Sequence, residues 1–393
     1  MKKYDFDELI DRRHTDSVKY DYIPEKYQTE DYLPMWVADM DFRTPQFVID
    51  AISKRVQQGI FGYTKPSVQY YECISRWLKH RVDFDVKIDE LHYLPGVVPG
   101  IFDIIQCFTE VGDKVMVQTP VYFPFFKVTA ASSRESVAAP LKITNDGHLS
   151  MDFEKIEQQI GDCSLFLLCN PHNPGGMVWP VEDLQRLARI CKAHHVLVVS
   201  DEIHASMALP PHKHTPFAKV SEAARSNSIT LMSPSKSFNI PGLITSYAVV
   251  LDKDIRNKFF QYVEENHIAM GNVFSFDTTC ACYSEEGENW LNQMLAYLQK
   301  NIDYVFRFLE THCPKIGGMR PEASFLIFLD NRKLGLSQEE LVDFYNDEAR
   351  IYLNDGTAFG PEGAGFMRMN VAAPFSVIQR AMKQLKEAYD KRF

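Results

Sequence analysis

The sequence has no stretch that approaches the roughly 20 consecutive apolar residues of a bilayer-spanning helix. Apolar runs such as Val196 to Val199 and Tyr247 to Leu251 have the length of strands. Cysteine is sparse, eight in 393 residues, and none forms a Cys-x-x-Cys pair; the nearest approach is Cys280-Ala-Cys282. That excludes a disulfide-stapled scaffold and predicts reduced thiols in a reducing compartment. Excess positive charge is also missing. The net charge is −10, so no overall field draws a nucleic acid toward the chain. The histidine pairs His194-His195 and His212-Lys-His214 lack the spacing that sets two zinc ligands on one face, and no metal is expected. Behind the basic residues of MKKYDFDELIDRR no apolar segment follows, so no secretory signal is read and a cytoplasmic location is expected.

What is present is an ordinary globular composition, 45% hydrophobic and 24% charged, with enough chain for two or three domains or one large domain carrying a smaller one. No repeat, linker or low-complexity tract divides it. Between about residues 90 and 285, strand-like and helix-like patterns alternate. Ile101, Ile104, Ile105 and Phe108 recur at helical spacing, with Gly112 placed to end the helix. Lys114 to Gln118, Leu165 to Cys169, Val196 to Val199, Ser228 to Met232 and Tyr247 to Leu251 read as strands. Leu184, Leu187, Ala188 and Cys191 share a helix face. This alternation predicts an α/β architecture with a mostly parallel central sheet. In the last third, a long helix over Asn289 to Thr311 precedes a strand at Phe325 to Leu329, a helix at Gln338 to Asn346, a strand at Met367 to Val371 and a helix at Val377 to Tyr389. That pattern predicts a smaller α+β domain. The expected division is a large domain over 45–287 and a small one built from 1–44 and 288–393.

Four polar, Gly/Pro-rich segments end strands in the first part: Pro95 to Gly100, Asn170-Pro-His-Asn-Pro-Gly-Gly176, Ser200-Asp-Glu-Ile-His204 and Ser233-Pro-Ser-Lys-Ser-Phe238. In open α/β sheets ligands gather at the carboxyl ends of strands, so these four should share one cleft. The turn at Gly96 opens a helix whose free N–H groups suit an anion, with Val98, Gly100 and Ile101 as donors because Pro99 has none. Each segment taken alone has a plainer reading: a strand-to-helix turn, an N-cap for Asp201, an exposed loop lysine for Lys236.

Their order and spacing change that balance. Asn-Pro-x-Asn-Pro-x-Gly, then Ser-Asp-Glu some thirty residues on, then Ser-x-Ser-Lys another thirty on, resembles the fold-type I pyridoxal 5′-phosphate (PLP) enzymes, the aminotransferase class I/II group. Three further segments resemble the cystathionine β-lyase branch (cysteine-S-conjugate β-lyases). These are Leu33-Pro-Met-Trp-Val-Ala-Asp-Met-Asp-Phe42, Thr119-Pro-Val-Tyr-Phe-Pro-Phe-Phe126 and Ser235-Lys-Ser-Phe-Asn-Ile-Pro-Gly242. The resemblance implies an aspartate-aminotransferase-like fold with PLP as cofactor. Lys236 then matches the lysine that bonds to the cofactor and later serves as base. Asp201 matches the carboxylate that pairs with the ring nitrogen, Asn173 the donor to the ring 3-oxygen, and Tyr122 the aromatic on the ring face. His204 stands where many relatives carry a tyrosine. Val98, Gly100, Ser233 and Ser235 fall at phosphate contacts. Tyr63 matches a tyrosine that reaches the phosphate of a neighbouring subunit, which implies a homodimer with shared sites. Arg368 matches the arginine that grips the substrate carboxylate, and Trp36 either lines the substrate entrance or anchors the N-terminal segment.

One departure stands out. The position two beyond Gly242, often an arginine that pairs with the phosphate in aminotransferases, is Ile244; the lyase branch often lacks that arginine. The expected activity is β-elimination on an S-substituted L-cysteine, cystathionine first, to a thiol, pyruvate and ammonia. The alternatives are an aminotransferase, which shares the early steps, and a PLP-binding regulatory protein without turnover.

Overall fold

The computed structural model describes residues 2–144 and 147–393. Its main feature is a seven-stranded sheet. In chain order the strands are β1 (Leu91–Leu94), β2 (Lys114–Thr119), β3 (Glu135–Pro140), β4 (Cys163–Cys169), β5 (Leu197–Asp201), β6 (Ser228–Met232) and β7 (Ser246–Val249). They lie in the spatial order β1-β7-β6-β5-β4-β2-β3. Only β7 runs against the others, pairing antiparallel with both β1 and β6. The α/β expectation holds, and the strand ends of β1, β4, β5 and β6 therefore open on the same edge of the sheet.

The central strands β5 and β6 are buried along their whole length and β4 at all but Ser164, as a sheet covered on both faces requires. Helices α1 (Val68–Val82), α2 (Val97–Phe108), α3 (Val181–Ala193) and α4 (Ser275–Cys282) accompany the sheet. In α3 the four residues read as one face, Leu184, Leu187, Ala188 and Cys191, are its buried set. Glu182 and Asp183 in its first turn complement the positive end of its dipole.

Three sequence expectations are corrected. Helix α2 ends at Phe108 with Thr109 as its C-cap, so Gly112 does not close it. Gly112 instead takes a left-handed conformation, φ 87°, in the turn beyond, where a hydrogen bond from Asp113 N–H to the Glu110 carbonyl tightens the chain before β2. The strand placed at Tyr247 to Leu251 is β7, Ser246–Val249. The helix read over Gln338 to Asn346 is regular only over Gln338–Asp343 and then widens into a π-turn at Phe344–Glu348.

A second, antiparallel sheet holds β8 (Gly317–Met319), β9 (Leu326–Asp330), β10 (Asn354–Asp355) and β11 (Phe366–Asn370) in the order β8-β9-β11-β10. It is flanked by the 28-residue α5 (Glu285–His312) and by α6 (Phe375–Arg392). The N-terminal residues pack with this part: Leu33–Pro34 pairs in parallel with Ile351–Tyr352, and the Tyr27 hydroxyl donates to Asp347 at 3.1 Å. One apolar core joins the two sheets, running from Phe6 and Val48 through Trp77 and Trp290 to Leu385. Among the described residues no helix is long and apolar enough to cross a membrane.

The loop that feeds β11 turns on Gly356 and Gly363. Each faces the other's carbonyl oxygen so closely that a Cβ would overlap it. Gly363→Ala should therefore lower stability by about 1–3 kcal/mol or more in urea unfolding. Gly242→Ala, whose added Cβ meets nothing within 4 Å, should stay within about 0.5 kcal/mol of the parent. Equal effects would show that the loop does not fold back on itself in this way.

Candidate active site

The four polar segments do converge. The ends of β1, β4, β5 and β6 surround a cavity of about 340 Å³. Val98, Tyr122 and Asn173 line it, as do Asp201, His204, Ser233, Ser235 and Lys236. Two expectations are corrected there. Gly100 is not a lining residue, because its N–H closes the first helical bond of α2 to the Gly96 carbonyl at 2.9 Å. Its missing side chain serves packing instead, since a Cβ would come 2.8 Å from Leu94 Cδ1. Ile101, inside the same helix, is fully buried. The open donors at this helix start are thus Val97 and Val98.

Burial governs the titratable groups of the cavity. Asp201 ends β5, buried, and among the described residues its side chain receives one hydrogen bond, from Ile203 N–H at 3.1 Å. Burial pushes its carboxyl up to about 7, against the pull of that hydrogen bond and of Lys236. Burial lowers the Lys236 amine to about 8, helped by Arg368 and opposed by Asp39 and Asp201. Its Nζ donates to the Ala38 carbonyl at 2.6 Å. Burial likewise holds His204 down to about 3, with Lys236 and Arg368 adding to the effect, so its imidazole is neutral. Among the described residues its Nδ1 has no partner.

The anion end of the cavity is built from neutral donors. Ser233 Oγ lies 2.6 Å from the Thr245 carbonyl oxygen and accepts Ser235 N–H at 2.9 Å. Facing them is the start of the twelve-residue α2, whose free N–H groups and dipole favour negative charge. Ile244 presents its apolar side chain here, in a left-handed conformation, φ 48°, that β-branched residues rarely adopt.

Arg368 sits on β11, buried, just outside this lining. Its Nη1 donates to Asn173 Oδ1 at 3.0 Å, and its Nη2 to the Trp36 carbonyl at 2.9 Å and Asn354 Oδ1 at 2.6 Å. Asn173 therefore bridges the arginine to the cavity, and its NH2 group has no protein acceptor among the described residues. Trp36 contributes its main chain. Its ring is anchored by Nε1 donating to the Lys19 carbonyl at 3.0 Å and meets Tyr352 edge-on, so of its two readings the anchor is the one observed. Tyr63 does not line this cavity and is 97% exposed.

Sequence reasoning passed over Ala38, Asn239 and Asn354. Ala38 and Asn239 lay inside segments already quoted for their resemblance, so the signal was present without a role. For Asn354 no motif pointed to it.

These groups fit a PLP molecule. A buried carboxylate with a single donor lacks a cation, which a protonated pyridine nitrogen supplies. The unpartnered amide of Asn173 is a donor for a ring oxygen, and the serine and helix-start donors match a phosphate.

Comparison with known proteins agrees. The sequence profile of the family described as aminotransferase class I and II matches residues 30–385. The chain is 40% identical over 385 residues to cystathionine beta-lyase PatB of Bacillus subtilis, covering 98% of this chain and 99% of that one. A PLP-bound structure from Clostridium difficile 630 superposes with a TM-score of 0.95 at 40% identity, covering 98% of this chain and 100% of the other. The PLP-bound C-S lyase of Staphylococcus hominis gives 0.90 at 31%, covering 99% and 100%.

The Asp201 carboxyl has a measurable consequence. The unfolded chain loses this proton near pH 4, whereas the fold keeps it up to about 7. The fold thus binds the extra proton between these values, and stability falls as pH rises across that window. In ligand-free protein, Asp201→Asn should gain thermal stability over the parent as pH goes from 4 to 8. A melting-temperature difference that does not change with pH would contradict the buried, underpartnered carboxyl.

Proposed function

Because the chain belongs to the aminotransferase class I and II family, we propose that it is a PLP-dependent carbon–sulfur β-lyase. It cleaves cystathionine or another S-substituted L-cysteine to a thiol, pyruvate and ammonia. The observation that carries this is the half-buried Lys236 amine, held at one carbonyl in a cavity that also contains Asp201. The lyase names of the PatB relative and of the Staphylococcus hominis structure support the choice of reaction.

Bound PLP supplies an electron sink that makes the Cα–H of an attached amino acid acidic. The side chains do the rest. Lys236, Asp201, Asn173 and Tyr122 would hold the ring, with Val98, Ser233 and Ser235 at the phosphate. The Asp201 carboxylate would favour a positive charge on the ring nitrogen, and the Asn173 amide would be available as a donor to the ring oxygen. Neutral His204 adds no cation to the site. Arg368 offers its guanidinium to the substrate carboxylate, a two-pronged match that a lysine lacks. Lys236 Nζ takes the Cα proton, a role suited to an amine lowered to about 8 and therefore partly neutral at physiological pH. A thiolate then leaves Cβ; it is stable enough to depart without a dedicated acid.

The proposal includes a homodimer in the cytoplasm. Tyr63 and the neighbouring exposed Ile60 and Phe61 would reach across to the phosphate of the partner's site. It also includes the division into a large unit over 45–287 and a small one from 1–44 and 288–393.

Purified protein with PLP should release pyruvate from cystathionine without any keto acid. Absence of pyruvate from cystathionine and from other cysteine thioethers would overturn the lyase reading, and amino transfer that depends on a keto acid would replace it with an aminotransferase. Lys236→Ala should cut turnover at least about a hundredfold. Arg368→Lys should raise KM about ten- to a hundredfold through the lost bidentate contact; an unchanged KM would remove Arg368 from carboxylate binding.

A further inference from the structure

Cys73 on α1 and Cys280 on α4 are 207 residues apart in sequence, yet their sulfurs lie 2.8 Å from each other. All eight cysteines are free thiols, and among the described residues this is the one pair of cysteines joined by a hydrogen bond. Rigid elements bring them together. Tyr70, one turn before Cys73, packs its ring edge-on against Phe276 of α4 at 5.2 Å. Cys73 is buried and its thiol also touches the Tyr70 carbonyl at 3.0 Å, whereas Cys280 is half-exposed. The remaining gap to a disulfide bond of about 2.05 Å is less than an ångström.

The two thiols are unequal. The shared hydrogen bond pushes the Cys280 thiol below its ordinary value and raises that of Cys73, and Arg76 nearby favours the thiolate of both. Cys280 Sγ is thus the sulfur that a solute reaches first, and the buried Cys73 Sγ lies directly behind it, the arrangement of an attacking and a resolving cysteine.

We propose that Cys73 and Cys280 form a reversible intramolecular disulfide by exchange with a low-molecular-weight disulfide, RSSR. The Cys280 thiolate attacks one sulfur of RSSR. The S–S bond of RSSR breaks as the Cys280–S–S–R bond forms, and RS⁻ leaves to be protonated by water. Cys73 then gives up its proton and attacks Cys280 Sγ, expelling the second RS⁻, which takes that proton. Two protein thiols are oxidised, RSSR is reduced to two RSH, and no other oxidant is required. Excess thiol reverses the sequence. The new bond would tie α1 to α4 close to the cavity, since Thr279 of α4 meets the Thr245 hydroxyl at 3.4 Å and the Thr245 carbonyl lies against Ser233. This inference stands apart from the proposed lyase activity.

The test uses the PLP-loaded protein and oxidised glutathione. The protein should become lighter by two hydrogen masses and lose two titratable thiols, and its non-reducing digest should contain the Cys73 peptide joined to the Cys280 peptide. Dithiothreitol should restore the starting mass. Cys73→Ser should stop at a glutathione adduct on Cys280, and Cys280→Ser should give neither product. A wild-type protein that keeps a stable adduct, cross-links other cysteines or does not react would overturn the proposal. Because that reading comes from the unmodified chain, it holds even if a variant fails to fold.

Discussion

The geometry of the candidate site depends on one short strap of main chain, Trp36 to Phe42, whose carbonyl groups hold Arg368 and Lys236 in place. The Trp36 carbonyl accepts Arg368, and the Ala38 carbonyl accepts Lys236. The carbonyls of Val37 and Asp39 are both bound by Asn370 Nδ2, and those of Met40 and Phe42 by Asn239 Nδ2. Asn239 also accepts the Met40 N–H, closing a two-way clasp at 2.9 Å in each direction. The second sheet, through Arg368 and Asn370, and the lysine segment, through Lys236 and Asn239, thus read the same seven residues. Displacing the strap would move the amine and the guanidinium together. The strap is locked from behind by ion pairs that join Arg12 to Asp39 and Asp41, and buried Lys19 to Asp41 at 2.7 Å. Breaking such a buried pair leaves an uncompensated charge and costs several kcal/mol, on the order of 3–5.

With a net charge of −10, the molecule as a whole repels anions, yet the proposed ligands carry a phosphate and a carboxylate. Their capture therefore rests on groups whose field acts over a few ångströms in a medium where charge is poorly screened. At the phosphate end these are the first N–H groups of α2 and the serine pair, with Ile244 adding no charge. At the other end it is Arg368. His204 remains neutral between two cations, so the site does not accumulate positive charge beyond what the ligand can balance.

Much of this was legible in the sequence because it resides in contiguous segments. The turn after Asn170, the Ser-Asp-Glu segment and the lysine segment each announced a strand end, and all three line the cavity. Edge and short strands were less visible. β3, Glu-Ser-Val-Ala-Ala-Pro, is largely exposed and ends in proline, so it carries little of the buried β-branched pattern that marked β5. Gly100 was misread because donor availability depends on where the helix begins: with Gly96 as N-cap, the N–H four residues on is already spent. The work of Ala38 was invisible because it is done by a carbonyl, which every residue possesses.

Asp201 and Glu202 show how a site separates from its support. They are adjacent where β5 ends, both buried, both carboxylates, and of the two Asp201 lines the cavity. Glu202 is fully provided for by the protein: Oε2 meets His214 Nε2 at 2.7 Å, while Oε1 accepts the Ser200 hydroxyl at 2.9 Å, Phe217 N–H at 2.8 Å and Asn170 Nδ2 at 3.4 Å. Among the described residues Asp201 has one donor. Since a buried charge without partners is costly, satisfying the first and leaving the second short is a difference in purpose. Glu202 ties β5 to the loop around His214 and to the turn at Asn170, which fixes the strand end, and its negative charge further raises the Asp201 carboxyl. Asp201, buried and underpartnered, would stabilise a group that brings positive charge to it, as the proposed pairing with a protonated ring nitrogen would.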